Sequence, residues 1–123
     1  QMMKYTLITV YGIANCDTVK IARTWLSEQG IEHVFHDFKK QGLPEKNLDS
    51  WLKEAGWEAV LNRKGTSWRK LSSEEQLSVI DAATAWPFFL ANPSLVKRPV
   101  IEWQTSKGIE ITIGFQPNQW LLR

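Results

Sequence analysis

The sequence predicts an α/β fold with a mixed four-stranded sheet and a helical block set into the middle of the chain. Three observations carry that prediction. A β-branched and aromatic run passes through a short loop into a helical period and then a second β run. Residues 43–95 hold helical patterns and no convincing strand, and β character returns only from Pro99 onward. At 123 residues the chain is most simply one domain, long enough to bury a real core.

YTLITVY (5–11), bounded by Gly12, has the composition of a buried strand. From Asp17 to Gln29, Val19, Ala22 and Leu26 recur at helical spacing, Ile21 and Trp25 widen the stripe, and Gly30 supplies the stop. IEHVFHDF (31–38) reads as a second strand. Strand, helix and strand with short joints make a βαβ unit, which requires parallel pairing and a right-handed crossover.

Pro44 opens a helix in which Leu48, Trp51, Leu52 and Ala55 share a face, ended by Gly56. Another starts at Ser72, where Ser72 and Glu75 have capping-box spacing, and is expected to continue to the neighbourhood of Ala85. Pro87 and Pro93 bracket a turn-like piece, PFFLANP. PVIEW (99–103) and IEITIGF (109–115) are strands joined through TSKG, with Gly108 able to take positive φ. Pro117 begins a short final helix carrying Trp120 and Leu121. Without the block the order is βαβ then ββα, the thioredoxin-like arrangement. Its core spans 4–42 and 96–123, and the helical insertion spans 43–95.

Composition narrows the function. Fifteen basic and thirteen acidic residues are mixed along the chain, and RKGTSWRK (63–70) is only a local cluster, so no direct nucleic-acid partner is expected. The seven tryptophans are dispersed without a repeat and read as core or rim residues. No stretch approaches the ~18 apolar residues of a membrane span. YTLITVYGIA is too short for a signal peptide and breaks at Gly12. One cysteine excludes an internal disulfide and a multi-cysteine metal site, so a reducing cytoplasm is the expected compartment. His33 and His36, three apart on a strand, point to opposite faces and make a poor metal pair. Neither a metal nor a bound cofactor is expected.

That single cysteine, Cys16, is the candidate nucleophile. Free cysteines are commonly buried and inert. This one follows a strand and lies at the start of a helix, where unpaired backbone N–H groups and the helix dipole favour a thiolate. Asp17 opposes that effect, and Lys20, one turn on, restores positive charge. The third residue after Cys16 is Val19, so there is no CxxC and no internal resolving thiol. Any redox cycle is therefore monothiol. Holding an oxyanion or carboxylate needs positive groups, for which the planar fork of arginine is suited. Arg63, Arg69 and Arg98 are the candidates, and Arg98 precedes Pro99 at a strand entrance.

Taken together, YGIANCDTVKIAR between a strand and a helix, the helical insertion, NRKGTSWRKL and SLVKRPVIE resemble the arsenate reductase-like (ArsC/Spx) family. The likeness is to its YffB-type branch and covers essentially the whole chain. It implies a thioredoxin-like core with an inserted helical subdomain and a cis bond between Arg98 and Pro99. In the reductases of that family a cysteine attacks the oxyanion, three arginines stabilise it, and glutathione or glutaredoxin completes the cycle. Cys16 matches the nucleophile, and Arg63 and Arg98 match two of the arginines. The third would fall in IEITIGFQP, which has none. Gly12 and Ile13 stand where a histidine would precede the cysteine, and Val19 and Lys20 replace the usual serine and arginine.

These departures weigh against arsenate and leave thiol chemistry in place. The resemblance therefore implies a monothiol, glutathione-dependent thiol-disulfide reductase with glutathione as co-substrate and glutathione or glutaredoxin as partner. Arg63 and Arg98 would anchor a glutathione carboxylate or an oxyanion, with Lys20 assisting. Asn15 would shape the loop and cap the helix, the backbone before Pro99 would pair with bound peptide, and Arg69 joins by its nearness to Arg63. The alternatives are a true arsenate reductase, a non-catalytic regulator binding RNA polymerase, or an inactive member binding another protein. The regulators usually carry the CxxC switch that Val19 removes.

Overall fold

Strand β1 (Leu7–Gly12) lies inside a four-stranded sheet of order β2-β1-β3-β4 in the computed structural model, which describes residues 5–122. It pairs in parallel with β2 (Val34–Asp37) and antiparallel with β3 (Val100–Thr105), which turns back into β4 (Gly108–Ile113). The parallel pair needs a crossover, and α1 (Asp17–Glu28) supplies it. Ser106 and Lys107 form the hairpin turn, and Gly108 takes φ +144 beside it. This is the thioredoxin-like mixed sheet expected from the sequence.

The chain parts into two compact units, Gln1–Gly42 with Arg98–Arg123, and Leu43–Lys97. In the first, alternation along the strands puts Ile8 and Val10 of β1 on one face with Ile101 and Trp103 of β3. Ala22 and Leu26 of α1 and Trp120 of α8 (Pro117–Leu121) close over that face as a single buried cluster. The indole N–H of Trp103 donates to Thr112 Oγ1 at 2.8 Å. Its ring lies 5.8 Å from Trp120 and 5.4 Å from Tyr5, and Trp120 meets Trp25 at 5.6 Å.

Strand β2 is shorter than the β-rich run suggests, at both ends. Gly30, at φ +71, ends α1 with its N–H on the Ser27 carbonyl, while the Ile31 N–H reaches the Leu26 carbonyl at 2.8 Å. That is a Schellman stop, and it draws Ile31 into the helix terminus instead of the sheet. At the other end the Asp37 carboxylate accepts the Lys39 N–H at 2.9 Å and caps the short α2 (Phe38–Gln41). Neither histidine has a metal-binding arrangement. His33 Nε2 accepts from Arg23 Nε, and the His36 ring nitrogen meets the Gly42 carbonyl at 2.8 Å.

The second unit is helical. Pro44 caps α3 (Glu45–Ala55), which buries Leu48, Trp51 and Leu52. Two one-turn helices, α4 (Trp57–Val60) and α5 (Thr66–Arg69), follow. The Ser72–Glu75 capping box is present and opens α6 (Ser73–Ser78). The helix expected from Ser72 toward Ala85 is in fact two. Asp81 builds a second box, accepting the Thr84 N–H at 2.8 Å and donating its own N–H to Thr84 Oγ1, and so starts α7 (Ala82–Ala91). The Thr84 N–H and the Thr84 hydroxyl, both donating to the Asp81 carboxylate at 2.8 Å, hold that carboxyl below the usual carboxylate range.

PFFLANP is not a turn, because α7 continues through Pro87. A proline inside a helix costs about 3 kcal/mol, chiefly the missing N–H and the ring clash. Here the deprived carbonyl belongs to Ala83, an exposed residue within reach of water, while Ala85 and Phe89 on the same helix are fully buried. Burial therefore outweighs the break. After Asn92 a single 3-10 turn (Pro93–Leu95) leads out of the helix. Among the described residues of this unit the only β pairing is one bridge, Leu61 to Val96.

Candidate functional site

Cys16 is the N-cap residue of α1, with extended backbone (φ −141, ψ 120). Its carbonyl accepts the Lys20 N–H at 3.0 Å, closing the first helical turn, while its side chain makes no capping bond and stays half-exposed. The sulfur thus sits where the first backbone N–H groups of the helix have no intrahelical partner. Asn15, expected to cap the helix, lies one residue too early for that role and is exposed. Asp17 and Lys20 are also exposed, on the first turn.

The loop is held from behind. Val19, in that first turn, is 1% exposed and packs on Gly12, the last residue of β1. A Cβ on Gly12 would lie 2.7 Å from Val19 Cγ2, so only glycine admits this approach of strand and helix. Register brings the second half of the site alongside. Tyr11 pairs with Val100, so the end of β1 that leads to Cys16 and the start of β3 that follows Pro99 share one end of the sheet. The Arg98–Pro99 peptide is cis, as the family resemblance implied, and the Pro99 carbonyl accepts the Gly114 N–H at 2.8 Å. Cys16, Asn15, Lys20, Arg98 and Pro99 all belong to the first unit.

Sequence reading missed a buried polar tie at that end of the sheet. The Tyr11 hydroxyl donates to Glu102 Oε1 at 2.7 Å, with Glu102 8% exposed. It joins the strand before Cys16 to the strand after Pro99. A signal was available: Glu102 interrupts an otherwise apolar strand, PVIEW. Burial, then the hydrogen bond and the charge of Glu102, raise the Tyr11 pKa well above its ordinary 10.0. A raised folded-state value means this contribution to stability is complete below pH 10 and lost as pH rises beyond it. Tyr11→Phe should therefore flatten the alkaline decline in stability, read from urea midpoints at about pH 8 and about pH 11. Equal declines in both proteins would remove Tyr11 as its source.

Arg63 and Arg69 belong to the second unit. The Arg63 guanidinium carbon lies 5.3 Å from the centre of the Trp57 ring and 5.9 Å from that of Trp68. Arg69 does something else. Its Nη1 donates to the Lys64 carbonyl and its Nη2 to Thr66 Oγ1, so it braces the turn that carries Arg63. Asn62 braces the same turn, accepting the Lys64 N–H at 3.2 Å and donating its own N–H to the Leu95 carbonyl at 2.8 Å. Among the described residues there is no group of three or more histidine, cysteine or acidic side chains able to hold a metal ion. Nor is any helix there long and apolar enough to cross a membrane.

Comparison with known proteins gives this geometry a context. The family model described as the ArsC family matches residues 11–122. An uncharacterized protein of Haemophilus influenzae is 40% identical over 114 residues, spanning 93% of this chain and 96% of its own. The solved structure of a YffB protein superposes with a TM-score of 0.83 at 41% identity, covering 94% of this chain and 96% of the other. A solution structure of an arsenate reductase (ArsC) related protein from Brucella melitensis is 46% identical with a TM-score of 0.73, covering 95% and 93%.

Proposed function

Because this chain belongs to the ArsC family, we propose that it is a monothiol, glutathione-dependent oxidoreductase with Cys16 as its nucleophile. The observation that carries the reading is the placement of Cys16. A half-exposed sulfur, committed to no capping bond, stands at the N-terminus of a twelve-residue helix whose first N–H groups favour an anion. A structural cysteine would be buried in the core.

In the first step the Cys16 thiolate attacks the glutathione sulfur of a mixed disulfide. A new S–S bond forms to Cys16, the old one breaks, and the substrate leaves as a thiolate that takes a proton from water. A glutathione thiolate then attacks the sulfur of the Cys16-bound glutathione. That regenerates the Cys16 thiolate and releases glutathione disulfide, so two glutathione units leave oxidised for each substrate thiol freed. Arg98, in the same unit as Cys16, supplies positive charge for a glutathione carboxylate, and Lys20 assists. The second thiol such a cycle requires comes from solution, because this chain has one cysteine.

Incubation with glutathione disulfide followed by intact mass measurement should show a single glutathione adduct on the wild-type chain. Cys16→Ser should show none, and excess glutathione should remove the adduct. A wild-type chain that stays unmodified would refute the reading, and retention of RNA polymerase by that unmodified chain would favour a binding role instead.

A further inference from the structure

Trp57 and Trp68 approach Arg63 from two separate one-turn helices, and the scaffold around them is tied at several points. The Trp57 carbonyl accepts the Leu61 N–H at 3.0 Å, and the Trp68 carbonyl accepts Gln76 Nε2 at 2.9 Å. Between them the Asn62–Thr66 turn is fixed by Asn62 and Arg69, and a Cβ on Gly65 would lie 2.7 Å from Asn62 Nδ2. So an exposed arginine, ordinarily among the freest of side chains, is held near two half-buried indoles on a braced turn. Neither of its guanidinium contacts is an ion pair. The rings attract the cation without neutralising it, so its charge stays available to an outside acceptor.

We infer that Trp57 and Trp68 are positioning residues for Arg63, and that the three form a subsite for the carboxylate end of a peptide-like thiol rather than for a bare inorganic oxyanion. The inference rests on the reading of the chain as glutathione-dependent. Two physical arguments support it. An arginine held near two rings has already lost part of the rotamer freedom that it would otherwise lose on binding any anion. A peptide ligand also carries planar amide and carbon atoms beside its carboxylate that can lie on indole, whereas a tetrahedral oxyanion has none. The first effect serves any anion, and the second favours the peptide ligand.

The test uses the full chain carrying Cys16→Ser, which removes covalent chemistry, and follows Arg63 Nε–H and the backbone amides by NMR. S-methylglutathione is titrated in one arm and arsenate in the other, at constant ionic strength. The expected result is a ring-current-shifted Arg63 Nε–H and affinity for S-methylglutathione roughly tenfold or more above that for arsenate. Trp57→Leu and Trp68→Leu should each weaken the peptide ligand by about three- to fivefold and return the Nε–H toward its ordinary position, and phenylalanine at either site should restore most of the loss. Arsenate should weaken less than the peptide ligand in both leucine variants. Equal affinity for the two ligands, no binding of S-methylglutathione, or leucine variants that bind like the parent would each overturn the inference. A wild-type chain that forms no glutathione adduct while this titration behaves as expected would overturn the Cys16 reading alone.

Discussion

Trp103→Ala should lower the unfolding free energy by about 3–5 kcal/mol, a large share of the roughly 5–15 kcal/mol available to a domain of this size. Trp103 is 1% exposed, at the centre of the cluster formed by Ile8, Val10, Ala22, Leu26, Ile101 and Trp120. Its removal empties the space between sheet and helices and ends the ring contacts with Tyr5 and Trp120. It also leaves the buried Thr112 hydroxyl without its indole donor. Thr112→Val separates these contributions, since it keeps the ring and strands only the indole N–H, at a cost of about 1–3 kcal/mol. Urea unfolding followed by circular dichroism measures both. A Trp103→Ala loss no larger than that of Thr112→Val would show that the ring is not what holds the sheet and helices together.

Gly12→Ala should both destabilise the chain and slow the reaction of Cys16. The added carbon meets Val19 Cγ2 at 2.7 Å, and neither backbone nor side chain has slack there, because Val19 is buried in the first turn of α1. Overpacking of this kind costs about 1–3 kcal/mol. Relief by moving the helix start would carry Cys16 with it, so the rate of glutathione adduct formation should fall as well. The atom responsible is known, which makes the prediction sharp. Val19→Ala deletes the clashing methyl, so the double variant should be less destabilised than the sum of the two single variants and should recover adduct rate. Strict additivity in a double-mutant cycle would show that the two residues do not press on one another.

Much of this architecture was legible in the sequence because it rests on local rules. The period-2 and period-3.6 patterns marked β1, α1, β3 and β4, and the spacing of Ser72 and Glu75 marked a capping box that is present. What escaped is decided by competition. PFFLANP carries two prolines and reads as a turn, yet burial of Phe89 and Ala85 keeps α7 helical across Pro87. Asp81 and Thr84 also have capping-box geometry, but they sit inside a helical period that masks a start signal. The one-turn helices α4 and α5 are too short to show a period at all. Among the candidate functional residues, Cys16 was recognisable from its strand-to-helix junction and Arg63 from family likeness. The Tyr11–Glu102 bond and the two indoles beside Arg63 were not, because each depends on residues far apart in the chain or in separate elements.

Val19, buried three residues beyond Cys16, has a consequence for time as well as for structure. With no thiol at that position, the proposed mixed disulfide at Cys16 would open in a second-order event, with a half-life that shortens in proportion to the thiol supplied from outside. A dithiol protein discharges itself at a rate fixed by its own geometry. Under the proposed chemistry this chain instead would stay loaded for as long as its surroundings are poor in reductant, and the fraction of loaded molecules would follow the thiol pool around them.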